Sequence, residues 1–170
     1  ALATAAITNS DNAAAEQLWT GLGGADQAGA AVDAVLRDGG SSVQIQRTRT
    51  RSEYTAFGQT VWSLADQAAF AANFPAGAAA DRIWSLMGQI TPTQRWGLGA
   101  FAGARFKGGW GPDDGGYVVR QFGQAPVSGG CAAIAIGAWA PNFNSGVRAL
   151  DSLASTLSRL SDSLPAGPCR

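Results

Sequence analysis

The sequence predicts an α+β domain, and three observations carry that expectation. Up to about residue 95, apolar residues recur at helical spacing between Gly and Pro breaks. After Thr91-Pro92 the period shortens to that of strands. A leucine stripe at helical spacing then returns near the end. The 170 residues therefore read as one domain. Residues 1–95 form a mainly helical part, and residues 96–170 form antiparallel strands closed by a helix.

The elements follow in order. Residues 13–22 place Ala15, Leu18, Trp19 and Leu22 on one helical face, with Asn12 as the expected N-cap and Gly23-Gly24 as the stop. A second helix is expected over 26–37, with Ala28, Ala31, Val32 and Val35 inward. Residues 43–60 carry no helical stripe and read as a long surface loop, with room for one short strand. Ser63 opens a helix with Asp66 three residues on, a pattern like a capping box. Phe70 and Phe74 face inward. Another helix is expected over 78–87, carrying Ile83, Trp84 and Met87. Three strands are then expected: Ala104–Trp110, Gly116–Gly123 and Cys131–Ala140. The first two are joined by the turn Pro112-Asp113-Asp114-Gly115. The third is nearly all apolar, as a buried strand would be. The last helix is expected over 144–164, with Val147, Leu150, Leu153, Leu157, Leu160 and Leu164 inward.

Composition excludes more than it assigns. Net charge is zero and charged residues make up only 14%, with no basic run, so nucleic acid and anionic membrane are not expected partners. No apolar run reaches membrane-spanning length and no signal peptide is visible. The chain starts at Ala1 in sequence that already reads as structured, as a trimmed product would. There is no histidine, which removes Ser-His-Asp chemistry and most zinc sites. No cofactor is implied. Cys131 and Cys169 fit a disulfide tying the tail to the core, and hence an oxidising, secreted or cell-envelope location. The alternative is two unpaired thiols, one of them buried.

Lys107 is the only lysine; every other basic side chain is arginine. It stands in A-R-F-K-G-G-W-G-P-D. An edge-strand lysine that blocks aggregation is the plain reading. The glycines after it point elsewhere, because glycine in a strand marks places where a ligand comes close. Ser10-Asp11-Asn12 before an alanine-rich helix likewise reads first as a cap.

Together the two stretches say more. S-D-N opening a helix, with K-G-G far downstream on the first strand of a meander, resembles the penicillin-recognising serine hydrolases: class A β-lactamases and D-alanyl-D-alanine peptidases. The stretches ITNSDNAAAEQLWTGLGG and GQTVWSLADQAAF are similar to segments of that family, and the strand-and-helix order agrees from about Ala5 to Leu164. The resemblance implies a β-lactamase/transpeptidase-like fold and D-alanyl peptides of the cell wall as ligands. It implies that Ser10 relays a proton beside Lys107, and that Lys107 attracts the substrate carboxylate. Asn12 would bind the substrate's amide, Gly108 and Gly109 would lie against the substrate, and the Trp110 N–H would be an oxyanion donor.

The departures are as specific. The family's nucleophile is the serine of S-x-x-K, and no serine here has a lysine three residues on. That motif is expected before Ala1, so the chain reads as the C-terminal part of a larger domain. Its partner would be the remaining segment, as a separate chain or upstream sequence. A molecule of these residues alone would instead leave a sheet edge uncovered. Gly108 replaces a hydroxyl residue. Glu53 is the only acid in the segment that would supply a deacylating glutamate, and a solvated carboxylate is its default reading. Arg47, Arg49 and Arg51 read as a solvated face. The expected function is a β-lactamase- or D,D-peptidase-like hydrolase domain that this chain alone does not complete. The alternative is a non-catalytic module binding peptide or wall fragments on the same fold.

Overall fold

The computed structural model describes residues 1–53 and 58–170. Among them are six α-helices and one three-stranded antiparallel sheet in the order β1-β2-β3. The helices are α1 (Leu2–Thr8), α2 (Asn12–Gly21), α3 (Ala25–Asp38), α4 (Leu64–Ala72), α5 (Ala78–Met87) and α6 (Phe143–Arg159). The strands are β1 (Arg105–Asp113), β2 (Gly116–Val127) and β3 (Gly130–Ala140). The expected α+β plan stands at this level.

The sheet is covered on both faces. One face holds Phe106, Val119, Ile134 and Ile136, which pack with Leu98, Leu150 and Ala154 from the turn Gly97–Ala100 and from α6. The other face carries Lys107, Arg120 and Phe122, and packs against α4. There Phe122 meets Trp62 edge-on, with ring centroids 5.4 Å apart. The helical part abuts this sheet through α5 and β1, and α1 packs on both α2 and α5.

Local chemistry explains most boundaries. Ser63 caps α4: its Oγ accepts from the Asp66 N–H at 3.0 Å and donates to the Asp66 carboxylate at 2.8 Å. Asn142 caps α6 by accepting from the Ser145 N–H. The β1–β2 hairpin turns on Asp114-Gly115, and Gly115 takes the left-handed conformation, φ 71°, that glycine adopts without steric cost. β1 runs on through Pro112 to Asp113, past the expected strand end. Proline is tolerated there because β1 is an edge strand and its nitrogen can face away from the ladder.

Several expectations need correction. Residues 2–8 form a helix, α1, that was not among those expected. Asp11, not Asn12, is the N-cap of α2: its Oδ1 accepts from the Ala14 N–H at 3.0 Å. Asn12 is the first helical residue and is exposed. The predicted inner stripe of α2 is partly outside, with Leu18 40% and Leu22 50% exposed, while Ala14 is buried. The stripe of α3 is rotated: Ala28 and Leu36 are buried and Val35 is exposed. α4 stops at Ala72, so Phe74 lies beyond it, though its ring still packs on Phe70 at 5.2 Å. α6 stops at Arg159, followed by a short 3-10 turn Ser161–Ser163, and Leu153 and Leu160 are exposed. The 43–60 segment has no helix or strand in its described part; residues 54–57 lie outside the described residues.

Cys131 and Cys169 form a disulfide, 38 positions apart. A two-way backbone bridge beside it joins Cys131 and Gly167, at 2.8 and 2.9 Å. Closing a loop of that length contributes about 4 kcal/mol in the chain-entropy account. Among the described residues, no helix is long and apolar enough to cross a membrane.

Candidate functional site

Ser10 sits in the break between α1 and α2. Its φ of 56° makes it the only non-glycine with left-handed backbone among the described residues. That conformation costs a residue with a Cβ about 1–2 kcal/mol, and such strain gathers at sites the surrounding structure holds in place. The hold is visible. Ser10 Oγ donates to Gln94 Oε1 at 2.7 Å, and Gln94 Nε2 donates to the Asn9 carbonyl at 3.1 Å. The second bond orients the amide, so its oxygen must face Ser10. Nearby, the Thr91 N–H bonds the Thr8 carbonyl at 3.0 Å.

Lys107 reaches the same point from β1. Its Nζ donates to Ser10 Oγ at 2.5 Å and to the Gly108 carbonyl at 2.7 Å. The ammonium also lies 5.8 Å from the centre of the Trp110 ring. Burial lowers the Lys107 pKa from 10.5 to about 8, because a desolvated ammonium is disfavoured.

The edge of β1 continues the site. Backbone groups of alternate residues in a strand point to the same side. With Pro112 placing its nitrogen on the open edge, Trp110 and Gly108 turn their backbone groups there too. The Trp110 N–H and the Gly108 carbonyl thus share the edge that holds the lysine. A Cβ on Gly109 would meet only Arg120, at 3.6 Å, which is ordinary contact. Gly109 is therefore not demanded by internal packing. Gly108 is tighter, since a Cβ there would lie 3.2 Å from Trp96.

The structure brings Ser10, Asn12, Lys107, Gly108, Gly109 and Trp110 to the lining of one pocket of about 360 Å³. A smaller space of about 240 Å³ adjoins it, sharing Lys107, Gly108 and Gly109 and extending to Trp62 and Gln67. Cys131 and Cys169 are in neither lining; theirs is a structural role. Glu53 is exposed and outside both linings. The arginines are less idle than expected. Arg47 pairs with Asp33 at 2.8 Å on α3. Arg51 pairs with Asp113 at 2.5 Å at the pocket, and that bond lowers the Asp113 pKa.

Two residues were not foreseen. Gln94 holds Ser10, and Arg120 lines both spaces. Arg120 is half-buried and forms no hydrogen bond or ion pair among the described residues. Burial lowers its pKa, partly opposed by Asp113. Its sequence signal was a cation beside Gln121 in a strand stretch otherwise made of Tyr117, Val118, Val119 and Phe122. Gln94 gave no signal. Among the described residues, no group of three or more His, Cys, Asp or Glu is gathered to hold a metal ion.

The arrangement can hold an anion between two cations, beside an open strand edge, with a hydroxyl in contact with an amine. No protein-family model matches the chain, and no curated protein matches it.

Proposed function

We propose that this domain recognises the terminal carboxylate of D-alanyl peptides, on a β-lactamase/transpeptidase-like fold, outside the cytoplasm. The reading is carried by one observation: the Lys107–Ser10 contact, between residues 97 positions apart, at a pocket that also receives Arg120. Lys107 and Arg120 attract the carboxylate. Asn12 offers its amide to the peptide, which lies along Gly108-Gly109. The Trp110 N–H faces the carbonyl of the scissile or terminal bond. Gly108 lacks the hydroxyl that the resembled family offers the carboxylate, and Arg120 compensates with a guanidinium fork suited to carboxylates.

The single lysine makes the test direct. With lysine labelled at ¹³Cε and ¹⁵Nζ, Lys107 is the only side-chain signal. A peptide ending in D-Ala-D-Ala is expected to shift that signal saturably and to raise the Lys107 pKa above about 8, as a nearby carboxylate favours the ammonium. The same peptide with an amidated C-terminus should bind about tenfold more weakly or worse. A signal unmoved by either peptide defeats the proposal.

A second reading, a binding module without turnover, is favoured by the absence of S-x-x-K from these residues and by the position of Glu53 outside the pocket. Binding of the D-alanyl peptide with no released D-alanine would select it.

A further inference from the structure

We infer that Ser10 is itself an acyl acceptor, with Lys107 as its general base, so that the chain holds a serine–lysine dyad of its own. The inference rests on the proposed carboxylate site only for the choice of acyl donor. A nucleophile needs a base within hydrogen-bond reach and a third group that orients the pair. Ser10 Oγ and Lys107 Nζ are 2.5 Å apart, and Gln94, locked by the Asn9 carbonyl, holds the hydroxyl from the far side. Both dyad members line the pocket. Ser10 is also the one strained non-glycine among the described residues. A helix cap needs neither the strain nor the lysine, since Asp11 performs the capping.

In the resting form the ammonium donates to Ser10 Oγ, and Ser10 donates to Gln94. Loss of one proton from Lys107 leaves a lone pair at the same distance, and the hydroxyl turns to it. The Gly108 carbonyl keeps one of the remaining Nζ–H groups and so keeps the amine in place. Burial makes this form accessible, because a pKa of about 8 leaves about one-tenth of the amine neutral at pH 7. The other charged groups at the pocket are Arg120 on β2, Asp11 at the start of α2, and the Arg51–Asp113 pair. The two carboxylates are engaged, one as the cap and one with Arg51, so neither competes as the base.

The step balances as follows. Neutral Lys107 takes the Ser10 proton as Oγ adds to the acyl carbon, and the Trp110 N–H faces the developing oxyanion. The acyl C–N bond of an amide or β-lactam breaks and Lys107 returns the proton to the leaving nitrogen; in an aryl ester the acyl C–O bond breaks and the phenolate leaves. The product is an ester on Ser10. With a β-lactam, both ends of the opened ring stay on the protein. Hydrolysis reverses the sequence with water, and among the described residues Lys107 is the one base placed for it, already hydrogen-bonded to the Gly108 carbonyl. The ester is therefore long-lived.

The test is intact mass and peptide mapping after exposure to benzylpenicillin, and separately to p-nitrophenyl acetate, at pH 7 and pH 9. One adduct on Ser10 is expected, forming roughly tenfold faster at pH 9, as the neutral lysine fraction rises. Lys107→Arg keeps a cation at the pocket but cannot serve as base; it should acylate at least a hundredfold more slowly. Ser10→Ala should form no adduct at this position. Ser10→Cys should form one, which guards against loss of folding as the cause. Acetylation of Ser10 without penicilloylation supports the dyad, and the lysine response to the D-Ala-D-Ala peptide then decides the D-alanyl reading. No adduct on Ser10 from either donor, in protein whose lysine signal still answers to the D-alanyl peptide, overturns the dyad and leaves the binding site standing. No adduct and no lysine response overturns both.

Discussion

Arg120 and Gln121 are neighbours on β2 and point to opposite faces of the sheet. Gln121 is 1% exposed, and its amide is fully engaged: Oε1 accepts from the Leu98 N–H and Nε2 donates to the Trp96 carbonyl, both at 2.8 Å. Arg120 is half-buried at the pocket, and its guanidinium has no such bonds among the described residues. Buried polar groups normally find partners within the fold. One face obeys that rule by tying the turn Gly97–Ala100 to the sheet. The other leaves a costly cation waiting, and a neighbouring amine with its pKa pushed down. The contrast separates polarity that builds the fold from polarity that the fold has to support.

That contrast can be broken or sharpened by measurement. Gln121→Leu should cost the most, about 2–4 kcal/mol, because the Leu98 N–H and the Trp96 carbonyl both lose their partner inside the core. Urea unfolding would read it, and an unchanged midpoint would mean that the closed face is not closed. The Lys107 effect comes next, and it depends on pH. Its folded pKa lies below that of the unfolded chain, so the unfolded state binds more protons between about 8 and 10.5. Stability should therefore rise with pH through that window, by roughly 3 kcal/mol. Lys107→Met should flatten the rise and be the more stable form below pH 8. A wild-type profile that falls across the window would contradict the burial of the amine. The smallest stability effect is expected for Arg120→Leu, within about 1 kcal/mol of wild type, since no hydrogen bond among the described residues is lost. Its D-alanyl peptide affinity should nonetheless drop about tenfold or more. A large loss of stability with unchanged binding would place Arg120 with Gln121, among the groups that build the fold.

The sequence made local matters legible and left the apposed ones hidden. α5 begins and ends at Ala78 and Met87, the range expected from its stripe. The strands were found from their period and their turns. α1 was missed because LATAAIT has no side-chain cap and is only seven residues long. The exposed Leu18 and Leu22 carry a different lesson: helical spacing says which residues share a face, and says nothing of whether that face is covered. The six residues assigned to the site through the resemblance line one pocket; the lone lysine and its glycines stood out by themselves, whereas Ser10 and Asn12 alone read only as a cap. Gln94 escaped notice because nothing marks it in its own neighbourhood, and Arg120 because a cation beside Gln121 in a strand reads as a solvated position. Gln94 acquires its role only when the 3-10 turn Pro92–Gln94 is laid against the α1–α2 junction. Arg120 acquires its role only through its register opposite Gly109.

The Cys131–Cys169 bond has a mechanical consequence. It is a covalent shortcut from the tail to the first residues of β3. Tension applied at the C-terminal end runs through the sulfurs into β3 and bypasses α6, which stays slack. The first backbone bonds to feel that pull are the two between Cys131 and Gly167, beside the Cys131–Pro126 end of the β2–β3 ladder. The Ser10–Lys107 junction lies off that line, so pulling on the tail would peel one sheet edge before it disturbed the pocket.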